Sequence, residues 1–320
     1  MKFYFAPLEG ITGYVYRNLY QECFGRIDKY FTPFIAPSPD VCFHPKELRD
    51  ILPENNRDIP LVPQILTNRA DVFAATAREL KKMGYQEVNL NLGCPSRTVV
   101  SKGKGSGFLA NPKELDAFFD QVFSGLDMKI SVKTRIGKDS PGEFPALMEI
   151  YNRYPIHELI IHPRSQKDYY KNTPDRECFR EAVRISKNPV CYNGDIFTAG
   201  DYRELLEDFP ELEAVMMGRG LFGNPALVRE IRGEGGLKKE ELRNFHDRLL
   251  AEYQRVFQGD QNALFKMKEY WCYGIHVFSD NRKYAKKIRK AERMPAYLEA
   301  VEALFSEQEL VPGAGFTWIK

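Results

Sequence analysis

Val88-Asn89-Leu90-Asn91-Leu92-Gly93-Cys94-Pro95 is the stretch whose reading decides the fold. Side chains alternate faces along a strand, so Val88, Leu90 and Leu92 take one side and Asn89 and Asn91 the other. A buried amide needs partners, so the Asn face must look onto other polar groups. Gly93-Cys94-Pro95 then ends the run in a tight turn. Similar short runs lie on both sides: Phe3–Ala6, Tyr30–Phe34, Leu61–Leu66, Ile130–Thr134, Leu159–His162, Val190–Asn193 and Ala214–Met217. With Val88–Leu92 they make eight, their starts 24 to 42 residues apart. Helix-like stretches separate them. In Arg69–Lys82, Ala70, Phe73, Ala74, Ala77 and Leu80 share a face. Asn111-Pro112 opens another helix over Glu114–Phe123, with Pro at its first position. Eight strands alternating with helices predict a parallel sheet, which over residues 1–235 closes naturally into a (β/α)₈ TIM barrel. A doubly wound open sheet is the alternative.

A barrel's active site lies at the C-terminal ends of its strands. The unusual polar residues fall there: Pro7-Leu8-Glu9-Gly10, Gln64, Asn91 with Cys94, Lys133 with Arg135, His162-Pro163-Arg164, Asn193-Gly194-Asp195 and Gly218-Arg219-Gly220. Ser131, Lys133 and Arg135 share the inward face of their strand, opposite Ile130, Val132 and Thr134. An unpaired inward lysine is costly, so Lys133 is read as a ligand-binding group, with a buried ion pair as the structural alternative. The glycine loops after the seventh and eighth runs suit a phosphate, with Arg219 adding a charged fork. Lys133, Gln64 and Asn193 suit the carbonyls, ring nitrogens and hydroxyls of a flavin, although spacing shows only a phosphate-and-polar-ring site. The longest gap holds residues 97–108, with three glycines and two lysines, and is expected to form a mobile cationic lid.

The 320 residues carry a net charge of +2, which by itself points to no partner. The distribution says more. Residues 236–294 hold 14 basic and 8 acidic side chains, and residues 295–320 hold one basic and four acidic. Helical patterns over Lys238–Phe257, Ala263–His276, Arg282–Arg293 and Ala296–Phe305 follow the glycine-rich Gly233–Gly236, so 236–320 is expected to be an all-helical domain. Within it, Arg282, Lys286, Arg289 and Arg293 form one stripe, with Lys283, Lys287 and Lys290 beside it. Six cysteines without metal spacing or C-x-x-C pairs are expected to be reduced thiols, as in the cytoplasm. The N-terminus runs straight into a strand-like segment with no long apolar h-region, so no signal peptide is expected, and no apolar run reaches the ~20 residues of a membrane helix.

These residues together resemble the tRNA-dihydrouridine synthase family. The match runs through Ala6-Pro7-Leu8-Glu9-Gly10-Ile11-Thr12, Asn91-Leu92-Gly93-Cys94-Pro95-Ser96, Lys102 and the glycines to Leu109, and Val132–Gly137. It continues through Ile161–Arg164, Asn193–Asp195, Met217–Gly220 and Asn224-Pro225. Leu8 stands where Met is more usual, a change that conserves shape. The resemblance implies an FMN barrel that uses NADPH to reduce the C5–C6 bond of particular uridines in tRNA. It implies Cys94 as the acid that protonates C5. Pro7, Leu8 and Glu9 would contact the isoalloxazine ring, and Gln64, Lys133 and His162 the flavin heteroatoms. Asn193, Gly194, Asp195, Gly218 and Arg219 would hold the ribityl phosphate end. Asn91 and Arg135 would face the uracil, and the basic helical tail, with Lys286, Lys287 and Arg289, would bind tRNA.

That chemistry makes physical sense at Cys94. Hydride addition to C6 builds charge at C5 and O4, and a positioned acid quenches it. A thiol of ordinary pKa is mostly protonated at neutral pH. Two other readings share part of the pattern. A flavin-barrel oxidoreductase for a small molecule, dihydroorotate-oxidase-like or an enoate reductase, would not need the basic helices. A catalytically silent RNA-binding barrel would not need Cys94. Tyr270, Trp271 and Tyr273 are expected mainly in packing.

Overall fold

The protein is seen in a computed structural model, which describes residues 1–25 and 27–317. Its sheet contains strands β1 (Lys2–Phe5), β2 (Lys29–Phe31), β3 (Leu61–Val62), β4 (Gln64–Ile65), β5 (Glu87–Leu92), β6 (Lys129–Arg135), β7 (Leu159–His162), β8 (Val190–Asn193) and β9 (Ala214–Met217). Their order is β3-β2-β1-β9-β8-β7-β6-β5-β4, with the paired strands parallel. The two ends of that order are consecutive in the chain. They are one strand broken at Pro63, which has no N–H to give the ladder. The Ile35 N–H donates to the Gln64 carbonyl at 2.7 Å, and Leu66 N–H donates to the Ile35 carbonyl at 2.8 Å. The eight expected runs therefore form a TIM barrel, with the third run split in two and the barrel closed across Pro63.

The chain divides into two compact units. The first comprises Met1–Pro7, Asp28–Asp195 and Phe209–Met216, and holds the barrel strands. Its interior is filled by Tyr4, Ala6, Phe31, Val62, Ile160, Cys191, Ala214 and Met216. At the N-terminal strand ends sits a charged plug that sequence reading missed. Tyr4 Oη donates to Glu158 Oε1 at 2.7 Å, and Lys29 Nζ lies 2.9 Å from Glu87 and 3.3 Å from Glu158. Outside, the helix Ala70–Lys82 buries Val72, Phe73, Ala74, Ala77 and Leu80, and Phe73 and Leu80 each contribute about 2–3 kcal/mol of burial. The helix Pro112–Gly125 begins at Pro112 as expected.

The second unit comprises Leu8–Ile27, Ile196–Asp208 and Met217–Lys320. It contains the helices Tyr14–Cys23 and Ala199–Asp208, the short turns Arg219–Gly223 and Leu227–Ile231, and the C-terminal helices Lys239–Phe257, Asp260–Gly274, Arg282–Lys290 and Met294–Glu307. An aromatic core joins them: the Tyr16 ring lies 4.6 Å from Phe222 and 5.6 Å from Phe245, and Phe222 lies 5.6 Å from Tyr270. Tyr270 and Trp271 are buried in packing, as their pattern suggests. His246 is also buried, bonded to Tyr297 Oη at 2.6 Å, which accepts from Trp271 Nε1 at 2.9 Å. The basic helix ends at Lys290. Arg293 is extended and precedes a new helix with Pro in its first turn, so it leaves the predicted stripe. No helix among the described residues is long and apolar enough to cross a membrane.

Candidate active site

In the first unit a chain of amides leads to Cys94. Asn91 Oδ1 accepts the N–H of Gly93 at 3.0 Å and of Cys94 at 2.9 Å. Backbone N–H groups only donate, so this sets the whole chain's direction. Asn91 Nδ2 donates to Gln64 Oε1 at 2.7 Å, Gln64 Nε2 to Asn89 Oδ1 at 2.8 Å, and Asn89 Nδ2 to Ser131 Oγ at 3.0 Å. All four side chains are buried and point inward, as the alternation requires. Asn91 and Gln64 thereby fix the Cys94 turn, whose thiol is half-buried.

The segment after Cys94 is folded rather than loose. It forms a short helix over Arg97–Val100 and a 3₁₀ turn over Gly105–Ala110. The Cys94 carbonyl accepts from Ser106 N at 3.2 Å and Ser106 Oγ at 2.8 Å. A Cβ at Gly105 would lie 2.9 Å from that carbonyl, and one at Gly107 2.7 Å from the Val100 carbonyl. These glycines permit close packing, and the expected mobile lid is instead a packed support for Cys94. Lys102 remains exposed at its edge.

Lys133 pairs across the sheet with Asn91. Desolvation, chiefly, and then the Arg135 charge push its ammonium down to about 7, while Cys191 and Cys94 pull the other way. The residue is half-buried, and its ammonium makes no hydrogen bond to the described residues. Arg135 is 1 % exposed and fully engaged with backbone: Nε donates to Gly93 O at 3.0 Å, Nη1 to Ser165 O at 2.7 Å and Nη2 to Tyr169 O at 2.8 Å. Its guanidinium also lies 5.3 Å from the Tyr170 ring centre.

His162 ends β7 and is buried. Its Nε2 lies 3.0 Å from Arg164 Nη1. Arg164 forms a two-pronged pair with Asp195, Nη1–Oδ1 at 2.9 Å and Nη2–Oδ2 at 2.5 Å. Asp195 thus has both oxygens on Arg164, a use that the sequence did not suggest. Asn193 Nδ2 donates to the Met216 carbonyl at 2.8 Å. Gly194 sits against its neighbour's ring, where a Cβ would fall 2.3 Å from Tyr192 Oη. Pro7 is half-buried at the end of its strand.

In the second unit, Leu8 N–H donates to Thr12 Oγ1 at 2.9 Å, and Arg17 Nη1 donates to Thr12 O at 2.8 Å. Lys266 donates to the Gly10 carbonyl, so a C-terminal helix steadies this turn. Glu9 is exposed. Gly218 is half-buried, and the Arg219 guanidinium lies 5.1 Å from the Phe197 ring centre and 5.7 Å from that of Phe316. At Gly220 a Cβ would fall 2.1 Å from the Ile196 carbonyl, which explains that glycine. On the basic helix, Tyr284 and Ile288 are buried while Lys286, Lys287 and Arg289 are exposed. Among the described residues, its one ion pair is Lys283 with Glu307 at 3.2 Å.

Ser106, Asn89 and Arg164 are the members that sequence reasoning left without a role. Asn89 was signalled by its alternation with Asn91. Nothing local marked Ser106, twelve residues from the carbonyl that it holds.

The closed parallel barrel, with buried polar groups and a braced thiol at its strand ends, defines a TIM-barrel protein with a candidate active site at that end. A family model for dihydrouridine synthase (Dus) matches residues 4–314, and the chain belongs to that family. It is 29 % identical over 315 residues to a probable tRNA-dihydrouridine synthase of Staphylococcus aureus, covering 95 % of this chain and 94 % of that one. A probable tRNA-dihydrouridine synthase 2 of Bacillus subtilis is 26 % identical over 309 residues, covering 94 % of each. Among solved structures, a variant of NCR from Zymomonas mobilis superposes with a TM-score of 0.54 at 15 % identity, over 76 % of this chain and 90 % of that one. Morphinone reductase in complex with tetrahydroNAD gives 0.52 at 12 % identity, over 74 % and 88 %. At such identities these likenesses speak for the fold alone.

Proposed function

We propose that the protein reduces the C5–C6 bond of particular tRNA uridines in the cytoplasm, with FMN as cofactor and NADPH as electron donor. The observation that carries this reading is Lys133, an ammonium inside the barrel of a family member, with no hydrogen-bond partner among the described residues and within electrostatic reach of Cys94. Such a group is costly unless a bound acceptor completes it. A flavin ring's carbonyl and nitrogen atoms fit that need. Gln64 and His162 are the other heteroatom contacts in this reading, and Pro7, Leu8 and Glu9 the ring contacts. Asn193, Gly194, Gly218 and Arg219 would hold the phosphate end, with Asp195 acting through Arg164.

When bound, FMN supplies the hydride that reaches C6 of the uracil, and NADPH restores it. Cys94 gives its thiol proton to C5 and takes one back from solvent. Lys133 favours the thiolate left in between, because opposite charges at short range stabilise each other. Asn91 and Arg135 hold the Cys94 turn by its N–H and carbonyl groups, and thereby set where the thiol meets the base. The target base must leave its stack to reach this site. We read residues 1–235 as the catalytic domain and 236–320 as the tRNA-binding domain, with Lys286, Lys287 and Arg289 on phosphates.

The test is nucleoside analysis of tRNA from a strain lacking the gene. Dihydrouridine should vanish from defined positions and return when the purified protein and NADPH are added. An unchanged dihydrouridine map would overturn the reading in favour of a small-molecule reductase.

A further inference from the structure

We propose that Arg164 and Asp195 are positioning residues that hold His162 as its neutral Nδ1–H tautomer. A guanidinium has N–H groups and no acceptor, and it keeps its proton in proteins. The 3.0 Å contact between Arg164 Nη1 and His162 Nε2 therefore has arginine donating. Nε2 must offer its lone pair, so it carries no proton, and in the neutral ring the proton sits on Nδ1. A doubly protonated ring would set N–H against N–H and cation against cation.

Arg164 has little freedom to turn away. Its side chain is 1 % exposed, and Nη1 and Nη2 are held by the two Asp195 oxygens. Nε donates to the Asn172 carbonyl at 2.5 Å. All three guanidinium nitrogens are thus engaged. Asp195 comes from the loop after β8 and His162 from the end of β7, so two neighbouring strand ends cooperate to set one ring. The Tyr170 ring lies beside His162, 6.0 Å away between centres. The consequence is that His162 meets its ligand through a fixed proton position, as a neutral donor at Nδ1. That consequence rests on the reading of His162 as a flavin contact, whereas the tautomer itself does not.

The experiment uses the full-length protein labelled with ¹⁵N-histidine, with and without FMN, at pH 7.5. The chain has five histidines, so His162→Gln identifies the signal. Long-range ¹H–¹⁵N correlation should show Nδ1 protonated and Nε2 bare. A proton on Nε2, or on both nitrogens, would overturn the proposal. Arg164→Gln and Asp195→Asn should each lose the single-tautomer pattern, and its persistence in both would also overturn it. Asp195→Asn keeps the shape of the side chain and serves if Arg164→Gln does not fold. Failure to bind FMN would sink the proposed function while leaving the tautomer result readable.

Discussion

At Cys94 the backbone is gripped from three sides. Asn91 takes its N–H, Ser106 its carbonyl, and Arg135 the carbonyl of Gly93. Such bracing suits a proton donor that must reach one carbon of one base. Cys94→Ala should retain FMN and tRNA binding and lose roughly 10²–10⁴ in turnover, the usual contribution of a positioned acid. Single-turnover oxidation of the reduced protein by tRNA measures this, and near-normal turnover would remove the acid role. Lys133 carries a prediction with a definite sign. Its proton is held down to about 7 in the fold against 10.5 in the unfolded chain. Between these values the unfolded chain binds more protons, so the flavin-free protein gains stability as pH rises from about 7 towards 10.5. If FMN needs the charged ammonium, its affinity should fall by up to about tenfold per pH unit above about 7. A flat profile in the parent protein, or an equal slope in Lys133→Met, would show that Lys133 is not the linked group. At this scale the placing of Cys94, Lys133 and Gln64 at the strand ends was legible from alternation and spacing. The engagement of Arg135 with three carbonyls, and of Asp195 with Arg164, was not, because their partners lie 30 or more residues away in the chain.

Among the elements, the strands were the most legible, since alternation and spacing repeat eight times. The segment 97–110 was the least. Glycine and lysine there read as looseness, whereas Gly105 and Gly107 are required by contacts closer than a side chain allows. The helix Arg282–Lys290 buries only Tyr284 and Ile288, which leaves a cationic outer face. Replacing Lys286, Lys287 and Arg289 together by Gln should weaken tRNA binding uniformly across sequences and reduce the salt slope by about two to three. Filter binding over a salt series checks this, and an unaltered slope would assign the face to solvent.

At the scale of the whole barrel, a polar cluster at the end remote from Cys94 ties strands together. Glu158 accepts from Tyr4 and pairs with Lys29, linking the first, second and seventh strands. Glu158→Ala should destabilise the fold by about 3 kcal/mol, the low end for breaking a buried pair, because Lys29 keeps 21 % of its side chain exposed. Urea denaturation would show it as a lower midpoint, while turnover per folded molecule should be preserved. A midpoint within error of the parent would mean that water serves Lys29 equally well. By itself the sequence determined the barrel, the basic helices and the strand-end position of Cys94, because periodicity, glycine and charge act over a few residues. Tertiary structure alone decided how Cys94 is held, that its following segment is packed, and that His162 is tied to Arg164 and Asp195. Those outcomes depend on distances between groups far apart in the chain, which only the closed sheet sets.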